Sequence, residues 1–151
     1  MKPQQFISNL SHPMTTTHST SDYLLLFRGN DWDRSLSPAE LQKAMGGFLG
    51  WFEKLSATGV LKSGQPLLDE ARVVSGRNGR TVADGPFAES KEAVGGYFLI
   101  TAGSFDEAVT IAQECPTLEY GGLVEVRQVA SECPTFQRAR QAAAEELVAT
   151  A

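Results

Sequence analysis

Several chemistries are removed by what this 151-residue chain lacks. It has two cysteines and two histidines. Two thiols do not complete a zinc site, which takes four ligands. His12 and His18 both lie in the first 18 residues, away from the rest of the chain. The chemistry is therefore expected to use no metal and no cofactor. No Ser-His-Asp set and no phosphate-cradling glycine loop is present. The formal net charge is -5, with no Lys/Arg cluster. A nucleic-acid partner is not expected, because phosphate binders carry a basic stripe. No apolar run approaches the roughly 20 residues that cross a bilayer. Nor does the N-terminus show an apolar block followed by a small-residue cleavage site. The expected location is the cytoplasm, with no membrane association, and Cys115 and Cys133 as reduced, free thiols. Both cysteines occur in the tetrapeptide Glu-Cys-Pro-Thr, at 114–117 and 132–135; the repetition reads as coincidence.

The length and a 42% hydrophobic composition suit one domain with a core of its own. Residues 1–21, rich in Ser, Thr, Gln and Pro, read as a disordered lead-in, with Met14 an alternative start to Met1. The domain proper is expected over 22–130 and a helical tail over 131–151. Within the domain, the apolar run Tyr23–Phe27 predicts a buried strand. "SLSPAE" then opens a helix: Ser37 as N-cap, Pro38 in the first turn, and Glu40 to close a capping box. Leu41, Met45, Phe48, Phe52 and Leu55 recur at helical spacing and form its expected core stripe. Gly46, Gly47 and Gly50 fall on the opposite face, where each costs about 1 kcal/mol relative to Ala. Either another surface approaches there, a partner subunit being one choice, or the glycines are tolerated drift.

"GVLKSGQPL" predicts a second strand. "ARVVSGRNGRTVAD" predicts a hairpin turning on Asn78-Gly79 as a two-residue connection, since both positions accept positive φ. A central strand is expected around Tyr97–Ile100, entered through Gly95-Gly96. "SFDEAVTIAQECP" repeats the capping pattern with Ser104 and Glu107, and "GGLVEVRQV" alternates as a half-buried last strand. The order β-α-β, hairpin, β-α-β implies an α+β fold, with helices on one face of an antiparallel sheet. That is a ferredoxin-like plan with an inserted hairpin. The other face carries further apolar residues, and the sheet of an identical subunit is the economical cover.

The stretch "DGPFAESKE", Asp84 to Glu92, followed by Gly95-Gly96-Tyr97, resembles the signature of the YCII-related family in its DGPF-domain branch. The similarity extends through "SFDEAVTIAQECPTLEYGGLVEVR" and back to "YLLLFRG" and "GWFEKL". It implies a ferredoxin-like fold of the dimeric α/β-barrel group and a homodimer joined through sheet faces. The wider family carries a His/Asp pair suggested to be an active site. Here no histidine follows His18, and the first helix reads "MGGFLGWFEKL" where many relatives place one. Relatives encoded beside extracytoplasmic-function sigma factors imply a regulatory setting.

Asp84-Gly85-Pro86 is first a turn device. Asp84 is also the candidate general acid or base, if the strand end beside Phe87 desolvates it. Trp51, Phe87, Lys91, Tyr97 and Tyr120 are candidate ligand contacts, each with a plainer reading as core, plug or solvated edge. Two functions are carried forward. One is a homodimeric module that binds a small organic ligand or regulates. The other is a cofactor-free enzyme, an isomerase, lyase or oxygenase acting through Asp84.

Overall fold

The structure is a computed structural model that describes residues 19–29 and 31–151. His12, His18 and nearly all of the expected lead-in lie outside those residues. The first strand, β1 (Ser21–Arg28), begins within the last residue of that expected segment. It is followed by α1 (Pro38–Ala57), β2 (Leu61–Pro66), the hairpin β3 (Arg72–Ser75) and β4 (Thr81–Asp84), then β5 (Val94–Ala102), α2 (Phe105–Gln113), β6 (Leu123–Gln128) and α3 (Pro134–Ala149). This is an α+β chain with an antiparallel sheet and three helices. The four-stranded sheet runs β2-β5-β1-β6, and β3-β4 forms a separate two-stranded sheet inserted between β2 and β5.

Alternation along the central strands decides which face receives the helices. Tyr23 and Leu25 of β1 point with Phe98, Ile100 and Ala102 of β5 into one core, together with Trp51 and Leu55 of α1 and Ala108 and Ala112 of α2. The register places Leu25 between Phe98 and Val126, so the strands contribute to the core in layers. Both helices therefore cover one face. The other face presents Leu24, Leu26, Tyr97 and Leu99, each half-buried. Ion pairs border it: Lys62 with Asp22 at 2.7 Å, and Arg28 and Arg127 with Glu125 at 2.5 and 3.1 Å. The helix α3 buries none of its residues.

The α1 capping box forms as the sequence dictates. The Glu40 N–H donates to Ser37 Oγ at 3.3 Å, and the Ser37 N–H donates to the Glu40 carboxylate at 2.8 Å. These bonds hold the Glu40 carboxyl below the ordinary carboxylate range. The expected stripe is rotated, however. Ala44, Trp51 and Leu55 are the buried residues, with Phe48 packed against the core, while Met45 and Phe52 are left partly exposed. Spacings of four, three and four residues along 44, 48, 51 and 55 describe this face as well as the expected set did, and the sheet selects between them.

One local expectation is corrected. The hairpin pairs Ser75 with Thr81, so its connection is five residues long rather than two. Asn78 and Gly79 do adopt positive φ, at 59° and 64°, inside a 3₁₀ turn. Gly85 is not in a left-handed conformation. It is needed because its backbone lies against Ala71, where an added Cβ would come within 2.4 Å of the Ala71 Cβ.

Candidate functional site

A cavity of about 670 Å³ opens at one end of the sheet, on the helix side. Its floor is the end of β1 (Phe27 to Gly29), the exit of β2 (Gly64 to Leu67) and the start of β5 (Gly95, Gly96, Phe98). Its roof is Phe48 of α1 together with Met45 and Phe52, the two residues that the rotated stripe turns out of the core. Trp32, Asp33, Arg34 and Asp69 border it from the loops, and Thr117, Gly122 and Leu123 close the far wall.

Missing side chains make the room. A Cβ on Gly64 would lie 2.5 Å from the Phe98 ring and 2.8 Å from the Tyr97 carbonyl oxygen. One on Gly96 would lie 2.9 Å from the Gln65 carbonyl oxygen and 3.6 Å from the Phe27 ring. Glycine at these two positions lets β2 and β5 approach while leaving the floor bare.

Aromatic rings hold the walls by edge and tilt contacts. Phe27 meets Phe98 with centroids 4.9 Å apart and planes at 88°, and Phe48 lies 5.6 Å from Phe27 and 5.7 Å from Phe98. Arrangements of this kind contribute about 0.5–1.5 kcal/mol per pair beyond area burial. Trp51 stacks on Phe98 at 5.4 Å from behind, and its buried Nε1–H has no hydrogen-bond partner among the described residues.

None of the six residues singled out from sequence lines this cavity. The Asp84 side chain is 80% exposed and accepts from Arg72 at 2.6 Å on the hairpin, so the expected desolvation beside Phe87 is absent. Phe87 is 79% exposed rather than plugged into the fold. Trp51 belongs to the core. Tyr97 lies on the open sheet face. Tyr120 packs on Trp32, 6.2 Å between centroids, one residue removed from the cavity.

Lys91 contributes through its backbone, its carbonyl oxygen accepting from Arg28 Nε at 2.8 Å. The "DGPFAESKE" segment thus touches the cavity's border through Lys91 and through Glu89, which pairs with Arg34 at 3.1 Å. The residues that build the cavity, Phe27, Phe48, Phe52, Phe98, Gly64, Gly96 and Thr117, were missed as site residues. The signal available was the glycine at 64 and the pair at 95–96, facing aromatic positions on neighbouring elements.

Cys115 and Cys133 are both free, the first buried and the second exposed. The repeated Glu-Cys-Pro-Thr has a common backbone role, with each cysteine preceding a helical start and proline in its first turn. Burial pushes the Cys115 thiol up, whereas backbone N–H groups of Phe136 and Thr135 pull the Cys133 thiol down. Among the described residues no group of three or more His, Cys, Asp or Glu is placed to hold a metal ion. No helix among them is long and apolar enough to cross a membrane.

A family model described as the YCII-related domain matches residues 23–133, from β1 to the threshold of α3. Comparison with curated proteins finds no match. Among solved structures, the chain is similar to 5-chloro-2-hydroxyhydroquinone dehydrochlorinase (TftG) from Burkholderia phenoliruptrix AC1100, in complex with 2,5-dihydroxybenzoquinone. The identity is 19% and the TM-score 0.42, covering 73% of this chain and 95% of that one. It is also similar to the hydroxynitrile lyase from Passiflora edulis (PeHNL), at 13% identity and a TM-score of 0.32, covering 77% of this chain and 98% of that one.

Proposed function

The chain belongs to the YCII-related domain family, and on that premise we propose that it is a homodimeric protein that binds a small, largely apolar organic ligand in the cavity under α1. The carrying observation is the cavity itself: about 670 Å³, walled by four phenylalanines and floored by glycine. That volume falls within the roughly 300–1,000 Å³ of small-molecule sites, and an apolar lining with few polar groups is their usual character.

The strand order, with the hairpin inserted between β2 and β5, supports reading the fold as ferredoxin-like. "DGPFAESKE" supports the DGPF branch. The open sheet face, with Leu24, Leu26, Tyr97 and Leu99 uncovered by any helix, supports a twin sheet as its cover. A regulatory role is the use of such a binder that needs no further catalytic group.

An enzymatic reading draws support from one placement. Asp33 and Asp69 border the cavity, which Asp84 does not, so acid/base work falls to them.

The test is a thermal-shift screen of small aromatic and alicyclic compounds against the full chain. A compound at 100 times its Kd stabilises the native state by about 2.7 kcal/mol. That is a rise in Tm of roughly 5–10 °C for a chain of this size. A screen in which no compound moves the Tm overturns the binding reading. In sedimentation velocity the chain is expected to run as a dimer and Leu99→Lys as a monomer. A wild-type chain that stays monomeric at tens of micromolar removes the pairing.

A further inference from the structure

Thr117 is the one buried polar side chain among the described residues, 7% exposed, and it is part of the cavity wall. The charged residues that also line the cavity, Arg28, Asp33, Arg34 and Asp69, are each more exposed than Thr117. Its position is fixed from two sides. The Gly122 N–H donates to the Thr117 carbonyl oxygen at 3.0 Å. Gly122 also has to be glycine for the threonine to sit there, since a Cβ would lie 2.8 Å from Thr117 Oγ1. On the other side Cys115 Sγ lies 3.2 Å from Thr117 Oγ1.

A hydroxyl has one proton to give and two lone pairs to receive with. Cys115 is buried, and burial raises its thiol away from ionisation. At neutral pH it therefore carries a proton and can donate to Oγ1. The pair can also run the other way, and the threonine proton then has only the sulfur, a weak acceptor.

Resting on the binding reading above, we infer that the Thr117 hydroxyl is the hydrogen-bond donor that selects the ligand, and that the ligand is a small aromatic molecule bearing a neutral oxygen acceptor such as a ketone or quinone carbonyl. The ring packs among Phe27, Phe48 and Phe98, and its oxygen receives the Thr117 proton. A ligand without such an oxygen leaves the Thr117 proton only the Cys115 sulfur, a weaker acceptor than a carbonyl oxygen. Cys115 acts as a positioning residue: it orients the hydroxyl and does not touch the ligand.

The experiment compares acetophenone with ethylbenzene, two probes of nearly equal size and apolar area that differ by the oxygen. Binding to the full chain is read by calorimetry. Wild type is expected to prefer acetophenone by roughly three- to tenfold, the size of one net hydrogen bond. Thr117→Val, which keeps the shape and removes the hydroxyl, should abolish that preference while leaving ethylbenzene affinity in place. Thr117→Ser should retain it. The infrared carbonyl stretch of acetophenone bound to wild type gives a second reading that needs no variant, and it should shift to lower frequency relative to an alkane solution. An acetophenone preference undiminished in Thr117→Val, or an unshifted stretch, overturns the donor assignment while the cavity reading stands. Failure of both probes to bind wild type overturns the cavity reading together with this one.

Discussion

Substituting alanine for two of the glycines should move stability in opposite directions. At Gly64 the new Cβ falls 2.5 Å from the Phe98 Cδ1 and 2.8 Å from the Tyr97 carbonyl oxygen. Carbon atoms rest at about 3.5–4.0 Å, so the ring must retreat by about an ångström or β2 must part from β5. Phe27, Phe48, Phe52 and Trp51 all have ring centroids within 5.8 Å of the Phe98 centroid, so the ring has little room to retreat. Overpacking of this kind costs about 1–3 kcal/mol.

At Gly46, in the interior of α1, an added Cβ meets nothing within 4 Å. The only change there is the loss of glycine's excess backbone freedom, so Gly46→Ala should gain about 0.5–1 kcal/mol. The assay is equilibrium urea unfolding, where an m-value of about 1–3 kcal/mol/M separates the two midpoints by roughly 1 M. Gly64→Ala should also weaken binding of any cavity ligand, which Gly46→Ala should not. A Gly64→Ala midpoint at or above wild type refutes the close-approach argument. A Gly46→Ala midpoint below wild type refutes the claim that this face of α1 is open in solution.

A disulfide-exchange reagent should label one thiol per folded chain quickly, Cys133, and reach Cys115 only on unfolding; equal rates for both would contradict their assigned environments. Ser37→Ala should lower stability by about 1 kcal/mol through loss of the α1 cap, measured as a urea midpoint, and an unchanged midpoint would deny the capping box its role. The Glu125 carboxyl is held below its usual 4.5, mainly by the Arg28 hydrogen bond. Its contribution is therefore complete at neutral pH and is lost as the pH falls through the folded-state value. Glu125→Gln should flatten that part of the acid limb, and an identical acid limb in both proteins would rule the pair out as a source of pH dependence. Asp84→Asn should leave the urea midpoint and any ligand affinity unmoved, because its ion pair with Arg72 is exposed; a loss of binding would return Asp84 to the site.

What could be read from sequence divides along the range of the forces involved. The α1 start was legible because Ser37, Pro38 and Glu40 satisfy one another within four residues. The element order was legible because periods of two and 3.6 mark strands and helices locally. The rotation of α1 was not, since Leu41/Met45/Phe52 and Ala44/Trp51 are both acceptable stripes until a sheet is set against them. The five-residue hairpin loop escaped for a similar reason: Asn78-Gly79 announces positive φ but not the register of the strands around it. Asp84 looked like an acid near an aromatic, yet sequence proximity to Phe87 said nothing about whether either is covered. The cavity was least legible of all, being defined by atoms absent at 64 and 96 on two strands that meet only in the folded chain.

That origin makes the chamber's size adjustable in one direction from each side. The β-strand side offers nothing to trim, since glycine has no side-chain carbon to give up, and any change there can only exclude larger guests. Met45 and Phe52 on α1 are already partly in solvent, so shortening them admits bulkier guests without excavating the packed interior. Reshaping the protein toward new compounds therefore belongs to the helix, and restricting its range belongs to the strands.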